Sequence, residues 1–534
     1  MELMFIGATH EVTGSCHYIQ VGKKKFLIDC GMEQGIDRFE NSDLPVPASE
    51  IDFVILTHAH IDHAGMLPKL YHDGFRGPII ATRATTSLCD IMLRDSAHIQ
   101  TMESLWRNKK AKRKIDGEAY EPIYTMEDAL ETIKLFVSYP YNKIFSACEG
   151  VRFRFTDIGH LLGSASIEIW LEEGNTEKKI VFSGDIGNRR QPLLKDPEMT
   201  DEADYVVMES TYGDRLHEKD DEDVIHEFAD IITETFRRGG NVVIPAFAVG
   251  RTQVMLYYIR KIKEMNLVPE FPNFPVYVDS PLAVDATEIF YECGEECYDK
   301  EALDLLHKGI NPISFPNLHL SITTEESKEI NDIQEPKVII SASGMCDAGR
   351  IKHHLKYNLW RSDSTILIVG YQSIGSPGRK IQDGAKEIKL FGEDVAVRAR
   401  IAVLPGLSGH ADRLGLLEWV EAFKYRPRQV FVVHGEDKVA EMFAQTLVEE
   451  CELRAMAPFS GTRYDLAAGK FIEITEGIPI TKATQGRSVS SSFTKLKMTA
   501  RQVLEFINKC QGLPNKDLEK FSRDLELLIE KYKR

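Results

Sequence analysis

At 534 residues the chain is too long for one ordinary hydrophobic core, so two or three domains are expected. Hydrophobic residues at 43% and charged residues at 28% are the balance of a soluble globular protein, and no apolar run approaches the ~20 residues that span a bilayer. A formal net charge of −17 argues against non-specific binding of nucleic acid over the whole surface, while leaving room for a local basic groove.

The N-terminal Met1-Glu2-Leu3-Met4-Phe5-Ile6 lacks the basic start and cleavage site of a signal peptide and reads as a first strand. Apolar runs near 17–21, 26–29 and 53–56 continue a sheet between Gly, Asp and His turns. The last of them runs directly into Thr57-His58-Ala59-His60-Ile61-Asp62-His63-Ala64-Gly65. Imidazole nitrogen and carboxylate oxygen are donors that zinc and similar ions prefer. On an extended segment His58 and His60 point the same way, and Asp62 and His63, past the turn, can reach a second ion. One run can therefore begin two adjacent metal sites.

From about 86 to 146 the pattern is helical and charged, and Arg107 to Lys114 reads either as a solvated face or as a patch for a polyanion. Strands resume near 151–157, 166–171 and 179–183. From about 209 to 372 strands alternate with helices. Asp223 to Arg238 is a helix stopped by Gly239-Gly240, 241–246 is a buried strand before the helix start Gly250-Arg251-Thr252, and 276–279, 338–341 and 365–369 are further strands. This alternation predicts a parallel sheet with helices on both faces, with ligands beyond the carboxyl ends of its strands, near Ser343-Gly344-Met345 and Gly370-Tyr371-Gln372. The tail from 485 has a serine-rich linker, Ser488 to Ser492, and a capping box at Thr499 and Gln502. Leu518, Phe521, Leu525, Leu528 and Tyr532 then form an apolar stripe suited to packing or to a homodimer contact. The nine cysteines are scattered without repeated CxxC pairs, which fits reduced thiols in a cytoplasmic protein.

A dinuclear site needs ligands beyond the His/Asp run, and four isolated residues at strand ends are candidates: Asp29, His160, Asp185 and His434. The order Asp29, His58-x-His60-x-Asp62-His63, His160, Asp185 resembles the first four motifs of the metallo-β-lactamase superfamily. Met208-Glu209-Ser210-Thr211-Tyr212-Gly213, Leu407-Ser408-Gly409-His410-Ala411-Asp412 and Val433-His434-Gly435-Glu436 resemble motifs A, B and C of its β-CASP subgroup, the relatives of the cleavage and polyadenylation endonuclease subunit. The likeness extends over roughly residues 1–465.

That resemblance implies an α/β protein: an αββα metallo-β-lactamase sandwich over 1–208 and 373–484, a β-CASP domain inserted over 209–372, and a helical extension over 485–534. It implies two zinc ions per chain, with manganese as the alternative, since the donors are nitrogen and oxygen without thiolate. His58, His60 and His160 would hold the first ion and Asp62, His63 and His434 the second, with Asp185 bridging and Asp29 orienting the ligands from behind. Two metals about 3.5–4 Å apart clamp a phosphate, and a bridging water ionised near neutral pH attacks it. Asp62, Glu209 and His410 would be the catalytic residues, His410 giving its proton to the leaving oxygen.

The implied activity is hydrolysis of single-stranded RNA, chiefly within the chain, leaving 5′-phosphate and 3′-hydroxyl ends. Histidine at motif B fits the RNA-processing branch. Ser341, Ser343, Gly344, Arg251, Arg350 and Arg379 are candidate RNA contacts. One departure is Gly375-Ser376-Pro377-Gly378-Arg379, where relatives often show Gly-Thr-x-Gly-Arg; proline stiffens that loop and removes one N–H donor. Two other readings compete: a small-molecule hydrolase, which would need neither the insert nor the Glu209–His410 pair, and a scaffold with a decayed metal site, which should have lost ligands.

Overall fold

The computed structural model describes residues 1–35, 38–111, 120–217, 221–373, 375–404, 406–480, 499–500, 503, 506–507, 510 and 515–532. The chain divides into two compact units, Met1–Ile478 and Pro479–Arg534. Among the described residues no helix is long and apolar enough to cross a membrane.

Two mixed sheets form the frame of the first unit. The eight-stranded sheet runs Lys470–Glu473, Arg463–Asp465, Glu2–Gly7, Cys16–Val21, Lys24–Ile28, Phe53–Ile55, Ile79–Ala81 and Phe136–Ser138, antiparallel up to Lys24–Ile28 and parallel after it. The seven-stranded sheet runs Ala455–Met456, Gln429–Val433, Tyr205–Glu209, Thr176–Phe182, Ala165–Glu173, Val151–Asp157 and Phe145–Cys148. Their inner faces meet through Phe5, Ile28, Ile55, Phe153, Ile167, Phe182, Val207 and Phe431, all buried. Helix Arg83–Ala111 covers one outer face, and helices Arg413–Glu421 and Asp437–Glu449 cover the other. This is the expected four-layer sandwich.

The third sheet is wholly parallel: Leu318–Ser321, Val276–Asp279, Val338–Ser341, Val242–Pro245, Thr365–Ile368 and Arg400–Val403. Every residue of Val242–Pro245, Val338–Ser341 and Thr365–Ile368 is buried, as near-continuous apolar strands covered on both faces must be. Its last strand, Arg400–Val403, lies beyond the 209–372 expected for the insert, so the sheet extends past residue 372. Two short strands, Phe136–Ser138 and Phe145–Cys148, fall in the stretch read as helical. Both are outermost strands, and Pro140 between them interrupts any longer pattern.

In the second unit Asn515–Tyr532 is a helix, and Phe506 meets Phe521 edge to face at 5.5 Å. Leu528 and Tyr532 of the apolar stripe are exposed. Lys112 to Lys114, Ser488 to Ser492 and Gln502 lie outside the described residues.

Candidate metal centre

The carboxyl ends of strands from both mixed sheets converge on one crevice. Phe53–Ile55 runs on to Thr57 and His58, and His60 then caps a single helical turn, Ile61–Ala64, that carries Asp62 and His63. Asp29 follows Lys24–Ile28, Asp185 follows Thr176–Phe182, His160 follows Val151–Asp157 and His434 follows Gln429–Val433. Asp29 (φ +58°) and His434 (φ +48°) take left-handed backbone that side chains rarely adopt. Each is fixed there by its own amide, which donates to Ile55 O (3.0 Å) and Ala8 O (2.7 Å) respectively.

The hydrogen bonds of the ring Nδ1 atoms decide which nitrogens are left for a ligand. His63 Nδ1–H donates to Asp29 Oδ2 (2.7 Å). The Thr57 hydroxyl gives its proton to Asp29 (2.9 Å), so its lone pair accepts from His58 Nδ1–H (3.1 Å). His160 Nδ1–H donates to Gly409 O (3.1 Å). The Thr211 hydroxyl donates to His434 O (3.1 Å) and accepts from His434 Nδ1–H (3.0 Å). With Nδ1 so engaged, the neutral form of each of these four rings carries its lone pair on Nε2, the arrangement that a metal-binding imidazole requires.

Those lone pairs fall into two sets that share one carboxylate. His58 Nε2 and His160 Nε2 each lie 3.4 Å from Asp185 Oδ2, with His60 Nδ1 at 3.0 and 3.3 Å from the two rings. On the other side His63 Nε2 and His434 Nε2 lie 3.3 and 3.5 Å from Asp185 Oδ1, and Asp62 Oδ2 is 3.5 Å from His434 Nε2. His63 Nε2, His434 Nε2 and Asp185 Oδ1 are buried and have no hydrogen-bond partner among the described residues. Orphaned polar atoms of this kind demand explanation, and facing nitrogens beside carboxylate oxygen are a cation's donor set. Burial, with neighbouring imidazoles adding to it, pushes His58 and His160 well below the usual histidine range and so holds them neutral, as ligands must be. Burial would raise Asp62, but His434 and His63 outweigh it and bring its carboxyl down to about 2. The residues present fit two cations.

Beside this cluster stands a separate pair. Both carboxylate oxygens of Glu209 lie 3.1 Å from His410 Nδ1, and Glu209 Oε1 also accepts from Ile186 N (2.5 Å). His410 Nε2 points the other way, 4.0 Å from Asp185 Oδ2. Burial would lower His410, but Glu209 and Asp185 overcome it and lift the ring to about 9, so it is cationic at neutral pH.

The candidate RNA contacts divide. Ser341 is buried and donates to Asp279 O (2.7 Å), while Arg350 pairs with Asp279 (2.8 Å) and donates to Ile322 O (2.6 Å), so both are engaged within the fold. Arg379 pairs with Asp383 one turn along its helix (2.9 Å). Ser343 donates to Asp347 (2.6 Å), and Gly344 lies against Phe247. Arg251 alone of the three arginines has no side-chain hydrogen bond or ion pair among the described residues. Sequence reasoning gave no role to Thr57, Thr211 or the Gly409 carbonyl, which set the tautomers, nor to Gln191. Gln191 Nε2 donates to Gly159 O (3.3 Å) and Gly409 O (2.9 Å), tying the two histidine loops together. Threonine beside a ligand histidine is the one signal that was there to read.

Fold and cluster together define a metal-dependent hydrolase. The family description Metallo-beta-lactamase superfamily matches residues 11–83, Beta-Casp domain matches 252–381, and Zn-dependent metallo-hydrolase RNA specificity domain matches 394–458. Ribonuclease TTHA0252 of Thermus thermophilus is 36% identical over 439 residues, covering 82% of this chain and 94% of that protein. Transcription termination factor FttA of Methanocaldococcus jannaschii is 30% identical over 460 residues, covering 84% and 69%. A solved protein of unknown function from Enterococcus faecalis V583 shares the fold at a TM-score of 0.50 and 12% identity, over 87% of this chain and 99% of that one. The chain belongs to the β-CASP subgroup of the metallo-β-lactamase superfamily.

Proposed function

We propose that the protein is a zinc-dependent ribonuclease that hydrolyses phosphodiester bonds within single-stranded RNA, leaving 5′-phosphate and 3′-hydroxyl ends. The observation that carries this reading is the placing of a cationic histidine beside two donor sets that share Asp185. The kinship with a protein named a ribonuclease supports RNA as the substrate. His58, His60, His160 and Asp185 Oδ2 would hold one ion, and Asp62, His63, His434 and Asp185 Oδ1 the other, with manganese as the alternative metal. Bound there, the ions supply a water ionised near neutral pH and neutralise charge on the scissile phosphate.

The chain's own contribution is a proton held in place. His410 carries it on Nε2, facing the crevice, while Glu209 fixes the ring through Nδ1. The 3′ oxygen leaves as an alcohol when it takes that proton, and as a costly alkoxide when it does not. Asp29, Thr57, Thr211 and the Gly409 carbonyl keep the imidazoles oriented. A small-molecule hydrolase has no evident use for this pair.

The test is incubation of a labelled single-stranded RNA with the purified protein, with zinc or manganese and with a chelator. Metal-dependent shortening to internal fragments bearing 5′ phosphate is expected, and no shortening under any divalent ion overturns the proposal. His410→Ala should lose cleavage and keep its metal, whereas Asp185→Asn should lose metal, read by elemental analysis.

A further inference from the structure

Two open aromatic side chains at the edge of the crevice have no part in the chemistry above. Phe247 follows the strand Val242–Pro245 and Tyr371 follows its neighbour Thr365–Ile368. Gly344 follows the strand on the other side, Val338–Ser341. A Cβ added at Gly344 would sit 3.2 Å from Phe247 N and 3.3 Å from two atoms of its ring, so this glycine backs directly onto the aromatic. Gln372 Nε2 donates to Gly344 O (3.0 Å), which fastens the Tyr371 loop to the same glycine. The three loops make one ledge, and its two rings stay open: Phe247 is 49% exposed and Tyr371 48%.

Exposure by itself selects nothing, since Trp106, Trp360 and Tyr425 are at least as open. Position does. The loop after Phe247 reaches the catalytic loops, with a Cβ at Gly250 falling 3.1 Å from Leu161, the residue next to His160. Burial raises the Tyr371 phenol and the charge of Glu436, two residues past His434, adds to it, while Arg379 and Arg215 oppose it. Tyr212, whose ring centre is 6.1 Å from that of His410, acts electrostatically on both Tyr371 and Arg251. Arg251 heads the helix after Phe247, and its side chain is without hydrogen bond or ion pair among the described residues. Burial lowers its guanidinium to about 10, so it stays charged at neutral pH.

A guanidinium without a side-chain partner, four residues along the chain from one of two open rings, offers the chemistry that holds a single strand. Aromatic faces stack on bases whatever their identity, and a guanidinium takes a backbone phosphate. We infer that Phe247 and Tyr371 are stacking platforms for bases of the RNA strand entering the metal centre, with Arg251 seating a phosphate of its backbone. This rests on the ribonuclease reading for its substrate class. It makes the protein tolerant of sequence and selective for unpaired bases, because a duplex already covers both faces of each base.

The test separates binding from cleavage. The full-length His410→Ala protein, loaded with zinc, is titrated with a fluorescent single-stranded oligoribonucleotide and with the same oligomer carrying abasic sites. Adding Phe247→Ala or Tyr371→Ala should each weaken binding of the first about tenfold and leave binding of the second unchanged. Phe247→Leu, which keeps apolar bulk without a ring, should behave like the alanine variant, and Phe247→Trp and Tyr371→Trp should restore affinity, which a merely misfolded loop would not allow. Binding within about twofold of the parent in both alanine variants overturns the inference, as does a parent that binds no RNA. RNA that binds in this ring-dependent way but stays intact on the unsubstituted protein with zinc or manganese would sink the ribonuclease reading and leave the platforms standing.

Discussion

Glu209 and His410 lie 201 residues apart in sequence, yet both carboxylate oxygens stand 3.1 Å from the ring. The carboxylate does two jobs at once, aiming Nε2 at the crevice and keeping a proton on it. His410 binds that proton up to about pH 9, so cleavage should fall as pH rises through the region where the ring turns neutral. Glu209→Gln removes the strongest attraction raising the ring, so the alkaline limb should move to lower pH by about one unit or more. The rate at neutral pH should fall at least about tenfold, with bound metal unchanged. A pH–rate profile of the two proteins checks this, and coincident alkaline limbs would show that His410 is not the titrating acid. Histidine and aspartate in close succession were legible in the sequence because little except metal chemistry explains such a run. The atoms that set the tautomers were not, because a backbone carbonyl such as that of Gly409 has no residue identity, and threonine is common everywhere.

Among elements, the parallel insert was the most legible part, since its strands are short apolar runs buried on both faces. What joins their ends was not. Asp279, wholly buried at the end of Val276–Asp279, accepts from Arg350 (2.8 Å), His354 (2.6 Å) and Ser327 (2.6 Å), and its carbonyl accepts from Ser341 (2.7 Å). From sequence Ser341 and Arg350 look like phosphate donors because hydroxyl and guanidinium serve RNA and a buried carboxylate equally well. Their partner decides the matter, and only packing reveals it. Asp279→Ala leaves Arg350 without its ion-pair partner and His354 and Ser327 without their acceptor, a loss of about 3 kcal/mol or more. The expected result is a markedly lower unfolding midpoint, while the affinity of the protein that remains folded for single-stranded RNA stays the same. Arg251→Ala should do the reverse. If Arg350→Gln weakens RNA binding as much as Arg251→Ala does, the division of roles drawn between these two arginines is wrong.

At the scale of the molecule, the metallo-β-lactamase sandwich is closed by residues from its far end. Arg463–Asp465 pairs with Glu2–Gly7, and Lys470–Glu473 pairs with Arg463–Asp465. Tyr464 and Leu466 are buried in the core between the sheets, and the Tyr205 hydroxyl donates to Leu466 O (2.8 Å). The RNA specificity domain match stops at residue 458, so a boundary drawn from it alone would cut this closing hairpin away. Truncation after residue 460 exposes one edge of Glu2–Gly7, empties the place of two core side chains and removes the support of a strand that ends in Glu209. That protein should aggregate or melt far below the parent, since buried large side chains contribute about 2–5 kcal/mol each. Truncation after Ile478, where the two compact units divide, leaves the three large sheets and every candidate ligand in place. It should keep its metal, its melting temperature and its rate on single-stranded RNA within about twofold, measured side by side with the full chain. Loss of activity with metal and fold intact would mean that residues 479–534 take part in holding RNA, a role the present site does not require.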